Sequence, residues 1–117
     1  MVIPEDGVLL RIHLGENDRA GGRPLYEAIV LKAREMHLAG ATVLRGPIGF
    51  GASSRLHTAK ILRLSEDLPL VIEIVDAPDK IDAFLKVLGG MMDSGLVTLE
   101  KVKVIQYGRP NGSSSRA

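Results

Sequence analysis

A ferredoxin-like α+β sandwich, with elements in the order β-α-β-β-α-β, is the fold class this 117-residue chain predicts. Three observations predict it. Stretches 7–14 and 69–75 alternate apolar and polar residues as strands do. Stretches 25–36 and 81–92 repeat apolar residues at helical spacing. Polar and glycine-rich segments separate them. The length suits a single domain with one two-layer core, a four-stranded antiparallel sheet carrying two helices on one face.

The first strand, 7–14, places Val8, Leu10, Ile12 and Leu14 on one side and Leu9, Arg11 and His13 on the other. Residues 15–23 (GENDRAGGR) read as a loop. Pro24 suits a first helical turn and Gly40 the position just past a helix end, with Leu25, Ile29, Ala33 and Met36 as the apolar stripe between them. Residues 41–48 read as the second strand. The third, 69–75, is the clearest strand in the chain. Asp76-Ala77-Pro78-Asp79 signals a helix start, followed by a stripe of Ile81, Phe84, Leu85, Leu88 and Met92, with Gly89-Gly90 weakening the last turn. Residues 96–107 form the fourth strand. The domain is expected to occupy 1–108, with 109–117 (RPNGSSSRA) a disordered tail.

Two consequences follow from the element order. The helix-free face of the sheet, with Leu9, Val71, Val75 and Ile105 assigned to it, is too apolar for water and calls for a partner, most simply other copies of the chain. Tracing strand directions also brings loops 15–23, 49–68 and 89–95 to one end of the sheet. Glycines there allow close backbone approach, and exposed N–H groups attract anions. The connection 49–68 is long for a hairpin, and loops of that length tend to carry function.

Composition removes several functions. With no cysteine there is no disulfide, thiolate metal site or cysteine nucleophile. A net charge of +1 gives no general attraction to nucleic acid or anionic membrane. The N-terminus has no signal-peptide pattern and no apolar run nears the roughly 20 residues of a membrane span, so a soluble, cytoplasmic protein is expected. RNA recognition of the kind that shares this topology stacks bases on aromatics of the central strands, and 7–14 and 69–75 hold none. Gly49-Phe50-Gly51 followed by Ala52-Ser53 is neither a Walker A loop nor a dinucleotide fingerprint. His13 and His57 lack the partners that make a base or a metal set, and no nucleophile–base pair emerges. No catalytic and no metal-binding residues are assigned.

The run Gly49-Phe50-Gly51, then His57-Thr58, then Leu68-Pro69 leading into Ile72-Glu73-Ile74-Val75 resembles the PII signal-transduction superfamily. Gly15-Glu16-x-Asp18-Arg19, Pro24-Leu25-Tyr26-Glu27-Ala28 and Leu64-Ser65-x-Asp67-Leu68-Pro69 are similar to the PII-like family catalogued as domain of unknown function 190, over about residues 7–108. The resemblance implies a homotrimer that binds a small anionic ligand, an adenine nucleotide (AMP, ADP or ATP) first, in clefts between subunits. It implies signalling to a target protein through a loop at 49–68. Gly49, Phe50 and Gly51 would open that loop and line the cleft, and Asp93, Ser94, Gly95 and Leu96 would form a second contacting loop. Arg45, Gly46, Arg55 and His57 complete the expected ligand-binding set. The chain departs from PII where Leu96 replaces a lysine, where paired arginines are missing near Val104-Ile105-Gln106-Tyr107, and where Ser53 replaces a glutamine. Fewer cations weaken triphosphate recognition. The expected protein is regulatory and not an enzyme. The alternatives are a ligand-free interaction module docking on a membrane transporter or channel and, third, a small nucleotide hydrolase.

Overall fold

A computed structural model of the chain describes residues 6–50, 57–58 and 67–108. Four strands form one antiparallel sheet: β1 (Asp6–Gly15), β2 (Thr42–Arg45), β3 (Pro69–Asp76) and β4 (Leu96–Lys103). Helices α1 (Leu25–Glu35) and α2 (Pro78–Leu88) follow β1 and β3. The strand order is β2-β3-β1-β4, so β1 and β3 are central and β2 and β4 are edges. This is the expected ferredoxin-like arrangement. The tail at 109–117 and most of 49–68 lie outside the described residues.

The core lies where the alternation put it. Leu10, Ile12 and Leu14 of β1 and Leu70, Ile72 and Ile74 of β3 are buried against Leu25, Ile29 and Ala33 of α1 and Ile81, Phe84 and Leu88 of α2. Ile29, Ile81 and Phe84 are wholly enclosed, and each such side chain contributes about 1.5–3 kcal/mol through burial. Residue pairing Leu10↔Ile74, Ile12↔Ile72 and Leu14↔Leu70 keeps both central strands in one apolar layer.

Several boundaries differ from those read off the sequence. Helix α1 stops at Glu35, and His37, not Gly40, takes the left-handed position (φ 61°). His37 N–H donates to Arg34 O (3.0 Å) and Leu38 N–H to Ala33 O (3.0 Å), a Schellman closure with Leu38 buried beneath it. Gly40 falls five positions past Glu35, so its composition cue pointed to the wrong residue. Helix α2 ends at Leu88, and Met92 reaches the core from the following turn. The second strand contracts from 41–48 to Thr42–Arg45 and the fourth from 96–107 to Leu96–Lys103. Ile105 therefore lies beyond the sheet and is 85% exposed. Val104 instead holds the place on the open face, with its Cγ2 3.0 Å from where a Cβ on Gly7 would stand.

The helix-free face carries Leu9, Leu44, Val71, Val75 and Leu96, but charge occupies its centre. Arg11 Nε donates to Glu73 Oε2 (3.0 Å), and another guanidinium nitrogen donates to Glu100 Oε1 (3.0 Å). The Glu73 hydrogen bond does most to raise the Arg11 pKa above its ordinary range, desolvation opposes it, and the Glu100 hydrogen bond adds to the rise. Alternation in β1 puts Arg11 on this face, but the two carboxylates meet its guanidinium through the pairing of both neighbouring strands, Arg11↔Glu73 with β3 and Leu9↔Glu100 with β4.

Candidate functional site

The expected convergence of loops at one end of the sheet is present. At the end of β1, Glu16 N–H donates to Leu68 O (2.8 Å) and Asn17 N–H to Asp67 Oδ1 (2.9 Å), tying the 15–18 turn to the entry of β3. Asp18 Oδ2 accepts from Gly15 N–H (3.0 Å), and Asp18 O accepts from Leu25 N–H (2.8 Å) at the start of α1. These carboxylates brace backbone donors, the ordinary role of Asx side chains in turns. Between them, Arg19–Ala20 pairs with Arg23–Pro24 as a two-residue ribbon inside what the sequence shows as plain loop.

Arg45 closes the other flank. Its guanidinium meets Glu16 Oε2 at 2.5 Å, a contact between residues 29 apart that no local motif announces. Gly46 N–H then donates to Pro69 O (2.8 Å). A Cβ on Gly46 or on Gly49 would stand 3.2 Å from Pro69 Cγ, so the chain wraps the prolyl ring with two residues that need to be small. Packing on Pro69 gives Gly46 and Gly49 a structural reason to be small, beside the ligand approach expected of them from the sequence. Beyond them Ile48 and Gly49 pair with Thr58 and His57, so the long connection departs as a short ribbon. Phe50 stands at its mouth, 71% exposed. Gly51 and Arg55 lie outside the described residues, as does the His57 side chain.

Asp93, Ser94, Gly95 and Leu96 occupy the same end of the sheet on its opposite edge. Leu96 pairs with His13 in β1, whereas Arg45 pairs with Leu70 in β3. Three strand spacings, roughly 14 Å, separate the two groups within one chain. The fold therefore gathers Arg45, Gly46 and Gly49 with Glu16, Asp67 and Pro69, and does not bring Asp93–Leu96 to them. Among the described residues no cluster of three His, Asp or Glu side chains could hold a metal ion. No helix among them is long and apolar enough to cross a membrane.

The protein-family model DUF190, described as an uncharacterized ACR, matches residues 7–104. The chain belongs to the DUF190 family. A relative named UPF0166 protein from Aquifex aeolicus is 40% identical over 97 residues, 83% of this chain and 91% of that one. A UPF0166 protein from Methanocaldococcus jannaschii is 33% identical over 92 residues, 78% and 84% of the two chains. Among solved structures, this DUF190 chain is similar to CPII from Thiomonas intermedia K12, a nitrogen regulatory PII-like protein bound to ADP, AMP and bicarbonate. The TM-score is 0.68 at 14% identity over 86% of this chain and 90% of that one. It is also similar to a GlnK–ATP complex from B. subtilis, with TM-score 0.53 at 12% identity over 86% and 85% of the two chains. At such identities the likeness is one of fold, and the fold is PII-like.

Proposed function

We propose that this DUF190 protein is a PII-like regulatory protein, without catalytic activity of its own, that binds a small anionic ligand between copies of the chain. The observation that supports it most is the placing of the two expected contact groups. Arg45–Gly49 and Asp93–Leu96 stand at the same end of the sheet but on opposite edges, so a second copy is needed to bring one of each to a single ligand. Both edges are suited to company: β2 exposes Val43 and Leu44, β4 exposes Leu96, Val97 and Leu99, and each edge strand pairs on one side only. A homotrimer, in which every copy offers one edge to each neighbour, completes three such clefts.

An adenine nucleotide is the first candidate, in keeping with the nucleotides held by CPII and GlnK. Its binding would bias the loop at 49–68 toward one arrangement, which then engages or releases a target protein in the cytoplasm. Among the described residues Arg45 is the cation best placed to meet phosphate, provided it exchanges the Glu16 carboxylate for the ligand. That same pair favours a second reading. With its guanidinium already neutralised, the site would work without ligand, as a module docking on a membrane transporter or channel.

Calorimetry of the purified oligomer with AMP, ADP and ATP, with and without magnesium, separates the two. Micromolar binding, about −8 kcal/mol, that Arg45→Ala weakens while sedimentation still reports a trimer, supports the ligand-gated reading. No heat from any nucleotide, with the trimer intact, removes it in favour of the docking module.

A further inference from the structure

The ion pair beside the proposed cleft joins one fixed partner to one free one. Glu16 directly follows β1, and its own N–H is bonded to Leu68 O (2.8 Å). The residue before it has no room for a side chain. A Cβ on Gly15 would stand 3.0 Å from Asp67 Oδ1 and 3.3 Å from Asp18 Oδ1. The backbone beneath Glu16 is therefore held, and its side chain is only 22% exposed. Arg45, by contrast, ends the edge strand β2, and its side chain is 55% exposed. Strand β3 lies between β2 and β1, so the pair closes across the entry of β3, a span of two strand spacings or about 10 Å.

Asp18, Asp67 and Arg19, charged neighbours at this end, are engaged by backbone. Asp18 Oδ2 accepts from Gly15 N–H, Asp67 Oδ1 accepts from Asn17 N–H, and Arg19 donates to Gly22 O (3.0 Å) inside its own ribbon. Arg45 and Glu16 are engaged by each other's side chains, through one guanidinium nitrogen. A pair this open to water adds little to stability. Its larger consequence is electrostatic. An anion approaching Arg45 meets a guanidinium whose charge is already balanced, and a carboxylate close enough to repel it. Glu16 is in effect the first anion on that cation.

We propose that Glu16 is a built-in competitor for the phosphate-bearing ligand at Arg45. The fixed carboxylate holds the guanidinium across the entry of β3 until a phosphate takes it, and so lowers the affinity of every ligand that uses Arg45. This inference rests on the reading of Arg45 as the cation that meets phosphate. A carboxylate that served only to aim Arg45 at the ligand would act with the opposite sign, because its loss would leave the guanidinium unplaced.

Calorimetry of the full-length oligomer with ADP and with inorganic tripolyphosphate tests it on the parent, Glu16→Gln, Arg45→Ala and the double variant. Glu16→Gln keeps the side chain's size and the backbone bond to Leu68, and circular dichroism checks the fold of each variant. It should bind both probes about tenfold tighter than the parent. The double variant should bind no better than Arg45→Ala alone. Heat from Glu16→Gln where the parent gives none also supports the proposal, since the carboxylate then masks the site. Parent binding that Glu16→Gln leaves unchanged or weakens overturns the proposal, while the nucleotide reading stands. A gain of the same size on the Arg45→Ala background overturns it as well, because the effect would then be charge attraction at large. No heat from either the parent or Glu16→Gln overturns both the proposal and the nucleotide reading.

Discussion

Gly95 packs directly against the backbone of His13: a Cβ on Gly95 would lie 2.8 Å from the His13 carbonyl oxygen and 2.7 Å from Met92 Cε. Its φ of +121° is a conformation that side chains disfavour as well. The residue sets where β4 begins, because the next position, Leu96, pairs with His13. Replacing Gly95 with alanine therefore pushes on backbone that cannot move without unpairing β1 from β4. Gly95→Ala should lower stability by about 1–3 kcal/mol, read as a shift of the urea midpoint at unchanged slope. It should also weaken any ligand that uses the 93–96 turn. A midpoint equal to that of the parent would show that the turn is free to rearrange.

The Schellman closure at the end of α1 makes a prediction of opposite sign. His37 holds φ 61° without being glycine, and its two flanking hydrogen bonds are made by backbone alone. Relieving the Cβ penalty with His37→Gly should raise stability by about 0.5–1 kcal/mol. Lys80 Nζ, which donates to His37 O at 3.1 Å, keeps its partner in the variant. A fall in the melting midpoint would mean that the imidazole makes up for the strained backbone.

Asp76 is 1% exposed, and both its oxygens are occupied, Oδ1 by Ala77 N–H (2.7 Å) and Oδ2 by Ala39 N–H (2.9 Å). It ties the segment after α1 to the start of α2. Asp76→Ala leaves the Ala39 N–H without an acceptor and should cost about 1–3 kcal/mol. It should also loosen Ala39, whose carbonyl accepts from the Tyr107 hydroxyl (2.8 Å), seen as faster amide exchange at residues 39–41. Asp76→Asn retains one carbonyl acceptor and should lose less. If the two variants were equally stable, the anion and its paired acceptors would have no special role there.

The central strands and both helices were legible in the sequence, because alternation at period two and stripes at period 3.6 report burial directly. Leu10, Ile12 and Leu14, or Ile81, Phe84 and Leu88, could hardly face anywhere but the core. Edges and ends were less legible. Only the two central strands have neighbours on both sides, so pattern alone extended β2 to 48 and β4 to 107, where pairing stops at Arg45 and Lys103. The composition cue for the end of α1 favoured Gly40, while the backbone closed at His37 because Leu38 had apolar surface to bury.

By itself, the order of residues determined the β-α-β-β-α-β course and the side on which the core lies. It also determined the gathering of loops at one end, since strand direction follows from element order. Tertiary structure alone decided which distant partners meet. Arg45 reaches Glu16, Gly46 and Gly49 enclose Pro69, Arg11 is shared by Glu73 and Glu100, and Tyr107 lands on Ala39. The difference is physical. Periodicity records how each residue divides between apolar core and water, a property of the local segment. A hydrogen bond or ion pair between residues 29 or 68 positions apart depends on register and on where a strand ends, which are set when the whole sheet assembles.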